Sequence, residues 1–479
     1  MTGTATDPAD LPATELLRCY AQGALSPVEV FAAVRDRIES AEPVLCALWL
    51  NYADRWQEQA AASEARWRAG TPMGALDGVP ITVKENIATK GVPIPQGCAA
   101  IPLVPATEDA PPAARVREAG AILVGKTTMP DLGMLTSGLS SFHKLARNPW
   151  HPAWNPGGSS AGAAAAGAAG YGPLHVGTDI AGSVRLPASW TGLVGFKPSN
   201  GRVPIDPPYH GRVAGPLTRT VADTALLMGV LAQPDWRDYK SLPFERIDFT
   251  DLDGLAVHGL RVGLLLDIGA GLPVHPEVRD AIVAVARLFE AAGAIVEPVE
   301  PFLTQAGFDD MDLYMRVRAW EALRQLPAER QGHVLPYVAD WARRDADVPG
   351  VVVMRCANRL LDTAQRTVAA THEYDFVLSP VCPVPTIPAE LPSPTNDDTH
   401  ALDHVVFTGA FNASEQPACS VNCGWTEDGR PIGVQIAGRR FDDLGVLRMA
   451  RFYEDARPEQ ATPDWSRCRG WENWDGAGR

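Results

Sequence analysis

A serine in a turn of small residues is the first candidate for chemistry in this sequence. The stretch GTDIAGSVRLPASWTGLVGFKP, residues 177–198, places Ser183 four residues after Asp179 and two residues before Arg185. Asp179 and Arg185 carry opposite charges, and we expect them to pair and to hold the turn. A nucleophilic serine needs a base that accepts its proton. The nearest histidine, His175, lies in the strand predicted before the turn, so the identity of the base is open at this point.

A second candidate segment, residues 155–172, contributes two further hydroxyl groups. It reads NPGGSSAGAAAAGAAGYG, and Ser159 and Ser160 are adjacent in it. Gly158 to Gly162 fit the G-x-S-x-G turn of α/β-hydrolases, in which the serine directly follows a strand. The preceding residues NPWHPAWNP contain three prolines, which disfavour a central strand. We therefore predict a glycine-rich turn that leads into a tightly packed alanine-rich helix.

A lysine supplies a candidate base that does not depend on histidine. The chain contains only six lysines, and one of them, Lys84, ends the apolar strand predicted in GVPITVKEN, residues 78–86. Removal from water lowers the pKa of a lysine, and the neutral amine then accepts a serine proton. Lys84, the serine pair and Ser183 therefore form a candidate base, relay and nucleophile. The backbone N–H groups of the turn from Asp179 to Ser183 are candidates for binding the oxyanion that develops during attack.

The elements that must position these residues alternate between predicted helices and strands. This alternation runs through most of the chain and is typical of an α/β protein. We predict that residues 1–479 form one domain, with a catalytic core at about 78–230 and a helix-rich, irregular region at about 304–371.

Composition argues against several classes of function. The net charge of −15 at pH 7 opposes binding to the phosphates of nucleic acid. The sequence has no apolar run long enough to cross a membrane and no signal-peptide pattern at its start, so we expect a cytoplasmic protein. The cysteines and histidines are dispersed without the spacing of metal ligands. We expect neither a metal nor a cofactor.

Six segments of the sequence occur in the order found in one known family. They are GVPITVKEN at 78–86, ATEDAP at 106–111, AGAILVGKTTMPD at 119–131, GGSSAG at 157–162, GTDIAGSVRLPASWTGLVGFKPSNGRVP at 177–204 and RPIGVQIAG at 430–438. Together they resemble the amidase signature enzymes over most of the chain, and the separation of 24 residues between Ser159 and Ser183 matches the family pattern. The resemblance implies an α/β fold with a large mixed β-sheet sandwiched between helical layers.

The resemblance also implies a role for each residue of the site. Ser183 is the nucleophile, Ser159 bridges the proton from a cis peptide bond after Gly158, and Lys84 is the base. The backbone N–H groups implied for the oxyanion hole are those of Ile180, Ala181, Gly182 and Ser183. The supporting side chains implied are Ser160, Asp179 and Arg185. The segment that tends to line the acyl pocket in the family corresponds here to Thr136, Ser137 and Gly138.

Three positions depart from the family pattern. Ala181 stands where glycine is often found, and if the turn needs a positive φ there, the methyl group costs about 1 kcal/mol or more. Glu85 stands where aspartate is common. Glu415 stands where glycine is common, and it either lies in a solvated loop or faces the pocket and affects substrate choice.

The function that the resemblance implies is hydrolysis of a carboxamide or related C–N bond through a seryl acyl-enzyme. Aliphatic, aryl and cyclic amides and hydrazides fit this chemistry, and linear amides are the expected preference. Two alternatives remain: the amidase subunit of a glutamyl-tRNA amidotransferase, and an inactive member that only binds an amide. The expected partner is a small amide, without direct contact to nucleic acid or membrane, and a homodimer is left open.

Overall fold

One mixed β-sheet runs through the molecule. In the computed structural model, which describes residues 7–472, 474 and 476, eleven strands form this sheet. The strands are β1 (Leu48–Asn51), β2 (Pro80–Lys84), β3 (Ile122–Thr127), β4 (Leu174–Asp179), β5 (Val194–Lys197), β6 (Val213–Thr218), β7 (Arg261–Leu264), β8 (Ile295–Pro298), β9 (Phe376–Pro380), β10 (Ala418–Trp425) and β11 (Pro431–Gly438). Their order is β1-β3-β2-β4-β6-β5-β10-β11-β9-β7-β8. β2 pairs in parallel with β3 and β4, whereas β10 pairs antiparallel with β5 and β11.

Helices cover both faces of the sheet. The α-helices of the described residues are α1 (Ala13–Gln22), α2 (Pro27–Leu45), α3 (Ala53–Arg68), α4 (Pro111–Glu118), α5 (Ala161–Ala169), α6 (Arg185–Thr191), α7 (Val221–Leu231), α8 (Pro276–Ala291), α9 (Gln305–Arg324), α10 (Pro336–Arg343), α11 (Gly350–Thr371), α12 (Val406–Ala413) and α13 (Asp443–Ala456). Residues of α4, α7, α8 and α13 pack against one face of the sheet and form a single hydrophobic core with it. α5, α6 and α12 pack on the other face. The predicted sheet between helical layers is confirmed.

Side-chain alternation along β2 decides which of its residues face the site. Ile81 and Val83 belong to the core beneath α7 and α8. Successive side chains of a strand point to opposite faces, so Thr82 and Lys84 face the layer that contains α5 and α6. The polar side chains at the C-terminal end of β2 therefore face the two turns that precede α5 and α6.

The composition of α5 lets the turn before it lie close to the sheet. All nine residues of α5 are alanine or glycine, and all are buried. A Cβ atom at Gly162 would lie 2.2 Å from the carbonyl oxygen of Ala47, so only glycine permits this approach. The small residues thus place Ser159 and Ser160, which precede α5, directly over the ends of β2 and β4.

The predicted helix-rich region at 304–371 contains α9, α10 and α11, which are joined by shorter turns. None of the described helices is both long and apolar enough to cross a membrane. The assignment of residues 1–479 to one domain stays a prediction.

Candidate active site

The amine of Lys84 lies among hydroxyl groups at the end of β2. Because β2 and β4 are parallel neighbours, their C-terminal ends lie at the same edge of the sheet. Lys84 Nζ is 2.8 Å from Ser159 Oγ, 3.1 Å from Thr178 Oγ1 and 3.2 Å from Ser160 Oγ. The side chain is fully buried, and no carboxylate of the described residues forms an ion pair with it. The predicted lysine and serine pair are therefore brought together.

Burial lowers the pKa of the Lys84 amine to about 7. Desolvation is the largest cause, because water is not available to stabilise the ammonium form. The positive charge of Arg212 lowers this pKa further, whereas the negative charges of Asp179 and Glu85 raise it. A substantial neutral fraction therefore exists near pH 7, and a neutral amine is the form that accepts a proton.

Burial alone does not distinguish Lys84 from other lysines of the chain. Lys126 and Lys197 are also buried, and desolvation lowers the pKa of each to about 7. Lys126 Nζ donates to the carbonyl of Ile87 and to the Thr89 hydroxyl, and Lys197 Nζ donates to its neighbouring carbonyl at Pro198. Contact with a serine pair, rather than the low pKa, therefore makes Lys84 the candidate base.

Ser160 connects the turn before α5 with the turn before α6. Its N–H donates to the carbonyl of Ser183 at 3.2 Å. Its hydroxyl donates to the carbonyl of Thr178, at 3.2 Å, and accepts from Lys84 Nζ. The peptide bond between Gly158 and Ser159 is cis, as the resemblance implies. Ser160 thus holds in register the two segments that carry Ser159 and Ser183.

Ser159 and Ser183 line the same small cavity. Ser183 follows β4 and lies just before α6, and its side chain is buried except where the cavity reaches it. The Ser183 hydroxyl forms no hydrogen bond with any residue that the structure describes. A hydroxyl placed in this way is open to a molecule that enters the cavity.

The expected ion pair between Asp179 and Arg185 is present and fully buried, with Arg185 Nη2 at 3.0 Å from Asp179 Oδ1. Asn412 joins the pair: its Nδ2 donates to Asp179, and its Oδ1 accepts from Arg185. Burial on its own would raise the pKa of Asp179, but the charge and hydrogen bonds of Arg185 lower it well below its usual range. Asp179 is therefore ionised near neutral pH, where it supports the turn and has no proton to transfer.

One of the four N–H groups predicted for the oxyanion hole is already used. Gly182 donates its N–H to Asp179 Oδ1 at 2.8 Å, which removes Gly182 from the predicted set. An aspartate at the start of a turn accepts readily from backbone N–H groups a few residues on, whereas the sequence prediction for Asp179 covers only its pair with Arg185. The N–H groups of Ile180, Ala181 and Ser183 donate to no acceptor among the described residues. These three remain available to an oxyanion.

The alanine at 181 causes no strain in the turn. Ala181 has an ordinary negative φ, whereas Gly182 has a φ of 120°. A Cβ atom at Gly182 would also lie 2.4 Å from Thr408 Oγ1. The turn therefore requires glycine at 182, and the departure from the family pattern at 181 is compatible with the backbone.

The predicted acyl-pocket residues are used in contacts within the protein. Thr136 contacts His404 by a hydrogen bond, and the Ser137 hydroxyl donates to the carbonyl of Leu391 and accepts from Asn155. Gly138 packs directly against Ala146, where a Cβ atom has no room. The cavity wall is formed instead by the residues just before this segment: Leu132, Gly133 and Met134. Thr136, Ser137 and Gly138 do not line this cavity, and their role in an acyl pocket stays a prediction.

The two unusual glutamates lie outside the cavity wall. Glu85 is buried and accepts from His143 Nε2 at 2.9 Å. Glu415 pairs with Arg440 at 2.8 Å and with Lys240 at 3.6 Å. Of the two alternatives for Glu415, the structure favours a loop carboxylate held by surface cations.

His175, the other candidate base, has both ring nitrogens occupied. Its Nδ1 lies 2.7 Å from Thr82 Oγ1, and its Nε2 lies 3.0 Å from the carbonyl oxygen of Gly172. Desolvation lowers the pKa of His175 to about 3, so it is neutral and bound to its neighbours.

The alternative G-x-S-x-G turn of α/β-hydrolases, with Ser160 as its central serine, does not form here. Such a turn directly follows a strand, and the residues before Ser160 form no strand.

Sequence reasoning also missed polar residues that line the cavity, among them Asn86, Tyr209, Arg212 and Arg318. Asn86 is the last residue of the segment 78–86 that contains Lys84, and its place in that motif was the available signal. Arg318 lies on α9, more than a hundred residues from the motifs, and nothing in the sequence connects it with them.

Among the described residues, no group of three or more His, Cys, Asp or Glu side chains is placed to hold a metal ion.

Comparison with known proteins agrees with this fold over almost the whole chain. The family model for amidases matches residues 29–447. An acylamidase of Rhodococcus erythropolis is 32% identical over 467 residues, which cover 94% of this chain and 96% of the relative. A glutamyl-tRNA(Gln) amidotransferase subunit of Myxococcus xanthus is 33% identical, covering 93% of this chain and 97% of the relative.

The solved structure of a bacterial aryl acylamidase, one of the amidase signature enzymes, has the same architecture. It matches with a TM-score of 0.86 at 30% identity and covers 96% of this chain and 98% of its own. The resemblance predicted from the six sequence segments is confirmed. The chain therefore belongs to the amidase family.

Proposed function

We propose that this chain hydrolyses a linear carboxamide through a seryl acyl-enzyme at Ser183. Membership in the amidase family makes it a hydrolase of carbon–nitrogen bonds. The observation that carries the proposal is the buried amine of Lys84 at 2.8 Å from Ser159 Oγ, beside a cavity that Ser159 and Ser183 both line. Similarity to an acylamidase and an aryl acylamidase supports open-chain amides as substrates.

The proposed proton path begins at the nucleophile and ends at the lysine. With substrate bound, the hydroxyls of Ser183 and Ser159, which line the same cavity, come within hydrogen-bond distance. Ser183 then transfers its proton to Ser159, and Ser159 transfers its own proton to the neutral amine of Lys84. Ser183 Oγ then forms a bond with the carbonyl carbon, and the carbonyl oxygen becomes an oxyanion. The protonated relay returns a proton to the leaving amine as the C–N bond breaks. Water repeats the sequence on the acyl-enzyme and releases the acid.

The oxyanion is proposed to bind the free backbone N–H groups before α6. Ile180, Ala181 and Ser183 supply these donors, and donors fixed in advance stabilise a developing charge without a cost of reorganisation. Gly182 has a different part: its N–H bond to Asp179 fixes the shape of the turn. Arg185 in turn holds Asp179, so the ion pair acts on the reaction only through the position of the turn.

Trapping identifies the nucleophile. The substitution Ser183→Ala is expected to reduce turnover by about a thousandfold or more, since no other hydroxyl replaces Ser183 as the nucleophile. Ser160→Ala is the matched control and retains measurable turnover. A fluorophosphonate should form an adduct on Ser183, located by mass spectrometry of the digested protein. An adduct on Ser160 would overturn the assignment, and absence of any turnover or adduct would favour an inactive amide-binding protein.

The pH dependence of kcat/KM tests the base. Since only the neutral amine accepts a proton, kcat/KM should rise with pH and reach half its plateau near the Lys84 pKa of about 7. Lys84→Arg should lose about 10²–10⁴-fold, as much as Lys84→Ala, because a guanidinium is not deprotonated in a protein. Lys126→Met removes a lysine of equal burial and equally lowered pKa, and should leave the profile in place.

Circular dichroism of each lysine variant separates loss of chemistry from loss of fold. A Lys84→Arg protein that is folded and retains most of its activity would contradict the assignment, and His175 would then be the next residue to replace.

Gly182→Ala should damage the enzyme more than Ala181→Gly does. The substitution forces a methyl group into a backbone with a φ of 120° and against Thr408. We expect a loss of about 1–3 kcal/mol in the free energy of unfolding, together with a lower kcat. Ala181→Gly is the matched control, and its stability should change by less than about 1 kcal/mol. Denaturant unfolding and steady-state kinetics measure both. Equal behaviour of the two variants would show that the turn does not need this geometry.

A panel of amides separates the proposal from its closest alternative. Similarity to one chain of a glutamyl-tRNA(Gln) amidotransferase makes glutamine the substrate to test, with and without the partner subunits of such an enzyme. We expect the isolated chain to release amine from linear aliphatic or aryl amides, and to do so faster than from cyclic amides. Activity on glutamine that appears only with partner subunits would replace the proposal by the amidotransferase function.

A further inference from the structure

Two arginines form part of the wall of the Ser159–Ser183 cavity. Arg212 lies immediately before β6, and Arg318 lies on α9. The ring of Tyr209 lies next to both: the guanidinium carbon of Arg212 is 5.1 Å from the ring centroid, and that of Arg318 is 4.2 Å from it. Elements from distant parts of the chain thus bring two positive charges to the place where the nucleophile is exposed.

Neither guanidinium has a counter-charge in the described part of the protein. No carboxylate there forms an ion pair with Arg212 or Arg318, and Asp206 and Asp238 act on Arg212 only from a longer range. Other buried arginines are paired: Arg185 with Asp179, and Arg202 with Asp443. A buried charge without a partner is costly, so an unpaired arginine in a cavity indicates a site for an anion.

The hydrogen-bonding groups of Arg212 are also only partly used. Arg212 is 6% exposed, and its Nη1 donates to the carbonyl of Pro207 at 2.6 Å. Its Nε and Nη2 donate to no acceptor among the described residues. Arg318 has no hydrogen bond from its side chain to any described residue, and its contact is with the Tyr209 ring. Guanidinium donors of this kind match the two oxygens of a carboxylate.

The rest of the wall combines apolar and polar side chains, and the carboxylate of Asp179 in it is paired with Arg185. Met315 precedes Arg318 by three residues on α9, so both side chains lie on the same face of the helix. Leu132, Met134 and Ile180 complete the apolar lining. The cavity therefore offers a nucleophile, apolar side chains and a cationic region to one bound molecule.

We propose that the substrate is an amide that carries a carboxylate, and that Arg212 and Arg318 bind this carboxylate. The inference rests on the proposed function, since it defines the substrate class of the same site. The carboxylate is separated from the scissile amide by a short apolar chain, because the same small cavity holds both groups. The two arginines are binding and positioning residues, and Ser183 remains the atom that reacts.

Matched substrate pairs test this assignment. Succinamate and butyramide differ by a carboxylate in place of a methyl group on the acyl side, and N-acetylglycine and N-ethylacetamide differ in the same way on the amine side. In at least one pair, wild type should show a kcat/KM for the charged member about tenfold or more above that for the neutral member. Arg212→Gln and Arg318→Gln should each reduce this ratio by about tenfold or more.

Arg261→Gln is the matched control for these variants. The Arg261 guanidinium also lies over a tyrosine ring, 5.5 Å from the centroid of Tyr374, but outside the cavity and paired with Glu297. In Arg261→Gln, the ratio of kcat/KM for the charged member to kcat/KM for the neutral member should equal that of wild type. Should Arg212→Gln fail to fold, Arg318→Gln decides the question alone, because Arg318 is a half-buried helix residue without an ion pair.

The outcomes separate the inference from the proposed function. Ser183-dependent hydrolysis of neutral amides, without preference for the charged members, overturns the inference and leaves the proposed function standing. If no amide is hydrolysed, the proposed function fails, and calorimetry with succinate as the probe decides the inference. Binding that weakens about tenfold in Arg212→Gln or Arg318→Gln supports it. No binding to wild type, or binding that both variants retain, overturns it.

Discussion

The buried amine of Lys84 is the group on which the rest of the site depends. An ammonium ion at this position loses its water and gains no carboxylate within the described residues, so the fold favours the neutral form. Three hydroxyl groups replace the lost water, and two of them, on Ser159 and Ser160, are available only because α5 consists of residues small enough to approach the sheet. The alanine and glycine content of that helix is therefore part of the chemistry.

Charge is distributed in two different ways around this amine. Asp179 and Arg185 satisfy each other and Asn412, and this closed arrangement fixes the turn that presents Ser183. Arg212 is buried without such a partner, and its charge further lowers the pKa of Lys84. A closed ion pair gives rigidity, whereas an open charge gives a preference for a ligand of opposite charge. This contrast between the paired charges of Asp179 and Arg185 and the unpaired charge of Arg212 explains how one small site combines a neutral base with a cationic substrate pocket.

The sequence was sufficient for the parts of the site that depend on local order. Lys84, Ser159 and Ser183 each occupy a short segment whose strand, turn and helix are encoded nearby, and the alternation of elements predicted the layered fold. Contacts between distant segments could not be predicted in this way. Arg212 and Arg318 are two of 36 arginines. Only the packing of α9 beside Tyr209, in the segment between β5 and β6, distinguishes these two from the others. The use of the Gly182 N–H by Asp179, and the lining of the cavity by Leu132 and Met134, likewise depend on side-chain directions that a pattern does not contain.

The protonation state of Lys84 is the central claim, and carbon-13 NMR of the lysine ε-carbons measures it directly. Six lysines give few enough signals to assign each by substitution. The account predicts that the Lys84 signal titrates near pH 7. A Lys84 signal that stays in the ammonium position until about pH 10 would contradict the account, because the proposed base would then carry a proton at every pH at which the enzyme works.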